Sequence, residues 1–162
     1  MLTAANILLV LTATTTALMA GLFYAFSCSV NLGLARLSNA EYISAMQSIN
    51  RAIQNPIFFA AFLSAPILLP ISTFLHYEQP LPVRFRYLLA ATIIYLIGTF
   101  GVTMFGNVPL NNALDRFDLE SAAEAEIALQ RTNFETRWNN LNTIRTVSST
   151  LAVILVAIAC LM

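Results

Sequence analysis

Three short stretches of this chain combine amides, guanidinium groups and an indole at helical spacing. In "QSINRAIQNP", Gln47, Asn50, Arg51 and Asn55 recur at three and four residues, so a helix would carry their side chains as one stripe. Asn107, Asn111 and Asp115, in and just after "GNVPLNNAL", form an i, i+4 row that flanks Pro109. In "RWNNLNTIRT", Trp138, Asn142, Arg145 and Thr146 share a face. Amide and guanidinium donors that converge on one point stabilise an oxyanion, and an indole gives an aromatic ring a surface to stack on. Arg51 and Arg145 are the candidates to hold such an oxygen, with Asn50, Asn107, Asn111 and Asn142 to orient it. Gln47, Asn55 and Trp138 are candidates for contacts along the rest of a substrate. A base is harder to assign: Asp115 and Glu135 qualify only if they turn inward, and solvated positions suit both.

What must bring these stretches together is set by where charge is missing. The chain has 162 residues, 58% hydrophobic and only 10% charged, against about 25% charged in a soluble domain. Four windows, Met1 to Ala35, Ala52 to Tyr77, Tyr87 to Leu114 and Thr146 to Met162, contain no Asp, Glu or Arg, and the chain has no Lys. A helix needs about 20 apolar residues to cross the bilayer core. Three windows are long enough outright, and the fourth borrows from the residues before it. The chain therefore reads as one all-α membrane domain over 1–162, a bundle of four transmembrane helices at about 5–33, 56–76, 87–113 and 143–162. Between the first two spans, Ile43, Met46, Ile49 and Ile53 mark an amphipathic helix. The Ala- and Glu-rich stretch from Asp115 to Arg145 is expected to be a polar helical lead-in that runs straight into the fourth span. Continuous apolar runs do not fit a strand barrel. The first window has no positive n-region and is too long for a typical signal peptide, so it is expected to stay as a span.

Alternation of four spans puts the end of the first, the start of the second, the end of the third and the start of the fourth at one membrane face. All three polar stretches fall there, with thirteen of the sixteen charges; Glu78, Arg84 and Arg86 lie at the other face. Taken singly, each Asn or Arg is explained by snorkelling to the interface or by helix-helix hydrogen bonds. Three stripes aimed from one end of a bundle favour a pocket, because polar groups at membrane depth face cavities.

Several classes are excluded or unsupported. Eight Arg balance eight acidic residues, so there is no basic surface for nucleic acid. The lone His76 falls at the opposite face and no His, Cys or carboxylate pair has ligand spacing, so no metal or cofactor site is predicted. Cys28 and Cys160 fall at opposite faces, which forbids a disulfide, and both are expected as small buried residues. No phosphate-binding loop or Ser, His, Asp constellation is present. The expected partners are the lipid bilayer and a hydrophobic small molecule, and a homo-oligomer is compatible with the same reading. Six Arg at the polar face against two at the other predict that the polar face is cytoplasmic.

The segments "MQSINRAIQNPIF", "GNVPLNNAL" and "RWNNLNTIRT", in this order, resemble the anthrone oxygenase-like family of small four-span membrane proteins. The resemblance covers nearly the whole chain and is most specific in "NVPLN" with the downstream Trp138, Asn142 and Arg145. It implies oxidation of an anthrone to an anthraquinone by molecular oxygen, as associated with fungal members, and a bacterial inner membrane as location. The positions it implies are Asn50, Arg51, Asn107, Pro109, Asn111, Trp138, Asn142 and Arg145. The alternative is a non-enzymatic membrane protein that holds a lipid or partner through the same cluster, and a third reading makes the stripes a packing interface.

Overall fold

A computed structural model describes residues 3–162. They form five helices, α1 (Ala4–Leu34), α2 (Asn39–Ala52), α3 (Pro56–Leu75), α4 (Val83–Asp115) and α5 (Glu124–Cys160), and among the described residues there is no strand. The four long ones, α1, α3, α4 and α5, are each long and apolar enough to cross a membrane, as the charge-free windows predict. The polar lead-in is continuous with the last span, making α5 a single helix of 37 residues, or about 55 Å. That exceeds a hydrocarbon core of about 30 Å, so its first third stands outside the bilayer beside α2.

Local chemistry sets the helix starts. Thr3 accepts from the Asn6 N–H at the head of α1. At α2, Ser38 and Glu41 form a reciprocal capping box, in which the Ser38 N–H and hydroxyl both donate to the Glu41 carboxylate; these bonds hold that carboxyl below its usual value. At α3, the Asn55 side chain accepts from the Phe58 N–H at 3.0 Å, and Pro56 takes the first helical position, where its missing donor costs nothing. Asn55, a candidate for substrate contact by its spacing, has its side chain in this cap. Asn55→Ala is therefore expected to cost about 1 kcal/mol of stability, measured by thermal unfolding in detergent, with ligand binding unchanged.

The spans pack in the cyclic order α1, α3, α4, α5, and each interface carries one hydroxyl pair. Thr12 and Ser72 join α1 to α3 (2.7 Å), Thr73 and Thr92 join α3 to α4 (2.8 Å), Thr99 and Ser148 join α4 to α5 (3.1 Å), and Ser27 and Thr146 join α1 to α5 (2.9 Å). Such bonds contribute about 0.6 kcal/mol each in a membrane, so they fix register more than they supply stability. Two apolar clusters share the interior. One lies among the spans around Met19, Phe62, Leu69, Leu88, Tyr95 and Val156. The other joins α2 to the end of α1 and the lead-in of α5 through Tyr42, Ile43, Met46, Leu114, Phe134 and Trp138. The outward faces of the spans carry exposed Ile57, Ile97 and Phe105, as a lipid-facing surface requires. Cys28 and Cys160, expected to be buried, are both exposed: on a span the apolar partner is lipid, so shelter from water does not require burial in protein.

Two helices depart from regular α geometry at membrane depth. α1 widens to a π-helical turn over Phe26–Val30, and α4 does so twice, over Leu96–Gly101 and Thr103–Asn107. In α4 the inward residues Tyr95, Thr99, Thr103, Asn107 and Asn111 recur every four positions. In a straight helix such a row drifts about 40° per step. The wide turns take up that drift and keep the row facing the bundle. They also end just before Pro109, where the ring would otherwise press on the preceding turn. α4 leans closely on α5 through two glycines: a Cβ at Gly98 would lie 2.6 Å from the Ser148 Cβ, and one at Gly106 would lie 3.0 Å from Leu141 Cδ1.

Candidate functional site

Between the two apolar clusters lies a cavity of about 270 Å³ to which all five helices contribute. Its walls are largely aromatic: Phe23 and Phe26 from α1, Phe58 and Phe62 from α3, and Trp138 from α5. Phe58 and Phe62 stack with centroids 5.2 Å apart, and Phe26 tilts against Trp138 at 5.4 Å. Polar groups gather at one side, where Asn50, Asn107, Asn111 and Arg145 reach the lining.

Arg145 is the chemical centre of this arrangement. It is only 5% exposed, and its guanidinium lies 4.4 Å from the Phe23 ring centroid and 5.2 Å from that of Trp138. Cation–π attraction to the two rings offsets part of its desolvation. One terminal nitrogen donates to Asn142 Oδ1 at 2.8 Å, while Nε has no hydrogen-bond partner among the described residues. The ion pairs among the described residues are Arg51–Asp115 and Arg131–Glu135, so no carboxylate neutralises Arg145. A guanidinium stays protonated in proteins, and the cavity therefore holds a fixed positive charge.

Amides surround that charge. Asn142 is fully buried and acts beneath Arg145: its Nδ2 donates to Ser27 Oγ at 2.8 Å and to the Phe23 carbonyl at 3.2 Å, which turns its Oδ1 toward the guanidinium. Asn111 accepts from the Trp138 indole N–H at 2.8 Å and so fixes the plane of that ring. Asn107, 1% exposed, has neither side-chain polar atom bonded, and Asn50 Nδ2 is likewise unpartnered among the described residues. Buried polar atoms are almost always paired, and here three donors and one acceptor around one cavity are left free for further hydrogen bonds.

The structure thus brings together Asn50, Asn107, Asn111, Trp138, Asn142 and Arg145, and leaves three candidate residues elsewhere. Gln47 turns to α4, where its Nε2 donates to the carbonyls of Leu114 and Phe117 at 2.9 Å each and closes that helix end. Arg51 pairs with Asp115 at 2.6 Å on the surface, with both side chains about half exposed, a contact that contributes under about 1 kcal/mol. Asn55 caps α3. Three polar lining residues lie outside the candidate set, Gln54, Thr103 and Asn112, as do the five Phe of the lining.

No residue of the lining is a carboxylate, imidazole or thiol. Asp115 is held by Arg51 and Glu135 by Arg131 at 2.8 Å. Among the described residues no three His, Cys, Asp or Glu lie close enough together to hold a metal ion. His76 sits at the far end of the bundle, with Nδ1 2.7 Å from the Ser72 carbonyl at the end of α3. The cavity can therefore orient an aromatic molecule and stabilise negative charge on it, using hydrogen bonds and one buried cation.

No curated protein and no solved structure matches the chain. The family model described as anthrone oxygenase matches residues 1–155, which take in the whole site and all but the last residues of α5. The chain belongs to the anthrone oxygenase family.

Proposed function

We propose that this protein is a membrane oxygenase that converts a hydrophobic aromatic ketone to a quinone in the cavity around Arg145. The observation that carries this is a buried, uncompensated guanidinium at one side of an aromatic-walled chamber. A ring methylene conjugated to a carbonyl loses a proton to give an enolate, and a nearby cation favours the ionised form. With no carboxylate, imidazole or thiol in the lining to accept it, the proton goes to water, and Arg145 acts by making the substrate a stronger acid. Asn50 and Asn107 add hydrogen bonds to the developing oxyanion. The enolate passes one electron to O₂, the radical and superoxide join at carbon as a peroxide anion, the proton released earlier returns from water to give the hydroperoxide, and loss of water leaves the second carbonyl. The balance is CH₂ + O₂ → C=O + H₂O.

The test is oxygen uptake and quinone absorbance with anthrone and protein in vesicles. Wild type is expected to consume one O₂ per quinone formed, and Asn107→Leu to lower the rate by about 10². Wild-type rates equal to protein-free vesicles overturn the oxygenase. A second reading, a binding protein without turnover, is favoured by the missing base; it predicts that anthrone binds with no oxygen uptake. In either case we propose that the polar end faces the cytoplasm of a bacterial inner membrane, because six of the eight Arg lie at that end.

A further inference from the structure

We propose that the substrate reaches this cavity sideways from the bilayer, through a slot between α3 and α4 whose doorposts, Phe59 and Met104, select which ring systems pass. This rests on the cavity's taking an aromatic ligand, as argued above. Four lining residues are exposed, two from each flank of the opening: Gln54 from the turn after α2 and Phe59 from the start of α3, and Met104 and Asn112 from α4. The pairs differ in character. Gln54 and Asn112 lie toward the polar end, while Phe59 (41% exposed) and Met104 (40%) lie deeper and face lipid. A membrane-dissolved aromatic with one polar edge meets matching surroundings along the whole slot.

Both limits of the opening are defined. At its deep end the rings of Phe62 and Phe100 meet at 5.4 Å, and beyond them α3 packs closely on the first half of α4. At its outer end the Arg51–Asp115 pair and the Gln47 bonds tie α2 to the end of α4. Between these limits α3 and α4 have no comparable packing. The cause is in α4, where Gly98 and Gly106 draw the helix onto α5 and the wide turns redirect its course. The gap is therefore built by the packing of α4 on α5.

The chain's single Trp, Trp138, lines the cavity and is 4% exposed, so its fluorescence reports what enters. The protein would be placed in phosphatidylcholine vesicles with bromonaphthalene, a contact quencher of indole, either free or tethered to a phospholipid acyl chain. Phe59→Cys and Met104→Cys, in a background with Cys28→Ser and Cys160→Ser, allow a cleavable cross-linker to bar the slot. Both probes are expected to quench Trp138, to lose that quenching on cross-linking and to regain it in the same sample on reduction. Recovery shows that the fold survived. Quenching by the free probe but not the tethered one would mean access from water and overturns the proposal, as does quenching unchanged by the cross-link. Quenching by neither probe overturns the aromatic-binding reading itself, and the lateral route with it.

Discussion

Arg145→Met is expected to lower turnover by about 10²–10³-fold while leaving the bundle as stable as the parent, within about 1 kcal/mol, or more stable. The two effects part because the residue is costly to the fold. A buried ion carries a desolvation penalty of several kcal/mol after relaxation, and replacing buried ions by well-packed apolar residues is often neutral or stabilising. What the fold loses is small in comparison. Asn142 keeps its bonds to Ser27 and Phe23, so only its Oδ1 is left unpaired, at about 1–3 kcal/mol. Methionine can still lie against the rings of Phe23 and Trp138 through its sulfur. Thermal unfolding in detergent and oxygen uptake in vesicles, measured on the same preparation, check both halves. A large loss of stability would instead make Arg145 a structural residue whose rings and amide hold the helices together. Arg145→Lys separates charge from shape: an ammonium keeps the cation but cannot lie flat against both rings, so part of the rate should return.

Gly98→Ala is the second change with a large expected effect, and it acts on the frame. The new Cβ would stand 2.6 Å from the Ser148 Cβ and 2.8 Å from its Oγ. Ser148 has little room to give way, since its hydroxyl is bonded to the Ile144 carbonyl at 2.6 Å and to Thr99 at 3.1 Å. α4 and α5 must separate, at about 1–3 kcal/mol for overpacking. Adding Ser148→Gly removes the clash and should recover most of the loss, less about 0.6 kcal/mol for the Thr99 hydrogen bond. That coupling, read by thermal unfolding of both singles and the double, is the signature of direct contact. Additive effects, or an unaffected Gly98→Ala, would refute the close approach.

The parts of this fold that were legible in the sequence are those set by solvent. Absence of charge marked the spans at Pro56–Leu75 and Val83–Asp115 to within a few residues, because an ionised group is costly in hydrocarbon wherever the helix packs. Alternation then carried Asn50, Asn107, Asn142 and Arg145 to one end. What the polar spacing could not choose was which side of α2 faces the cavity. Gln47, Arg51 and Asn55 share one row with good helical spacing, yet Asn50 is reached by extending the apolar row Tyr42, Met46 by four, and a further four reaches Gln54. Following buried apolar positions into the first polar residue would have separated the two rows. The Phe walls carried no signal, since Phe is as common on lipid-facing surfaces as in interiors of spans. Gln47 and Asn55 serve carbonyls and N–H groups at helix ends, bonds that depend on how neighbouring helices meet.

The four-residue recurrence from Tyr95 to Asn111 has a consequence for length as well as composition. Each wide turn of α4 houses one residue more than a regular helix needs. Removing one residue within Leu96–Gly101 would restore ordinary geometry there and keep Asn107 and Asn111 on the cavity, whereas adding one to a regular turn before it would rotate all that follows by about 100° and carry both off the cavity. None of the residues in Leu96–Gly101 touches the lining. The site is thus encoded partly as a count, so a single-codon insertion at a distance would erase it while every lining residue remained in the chain.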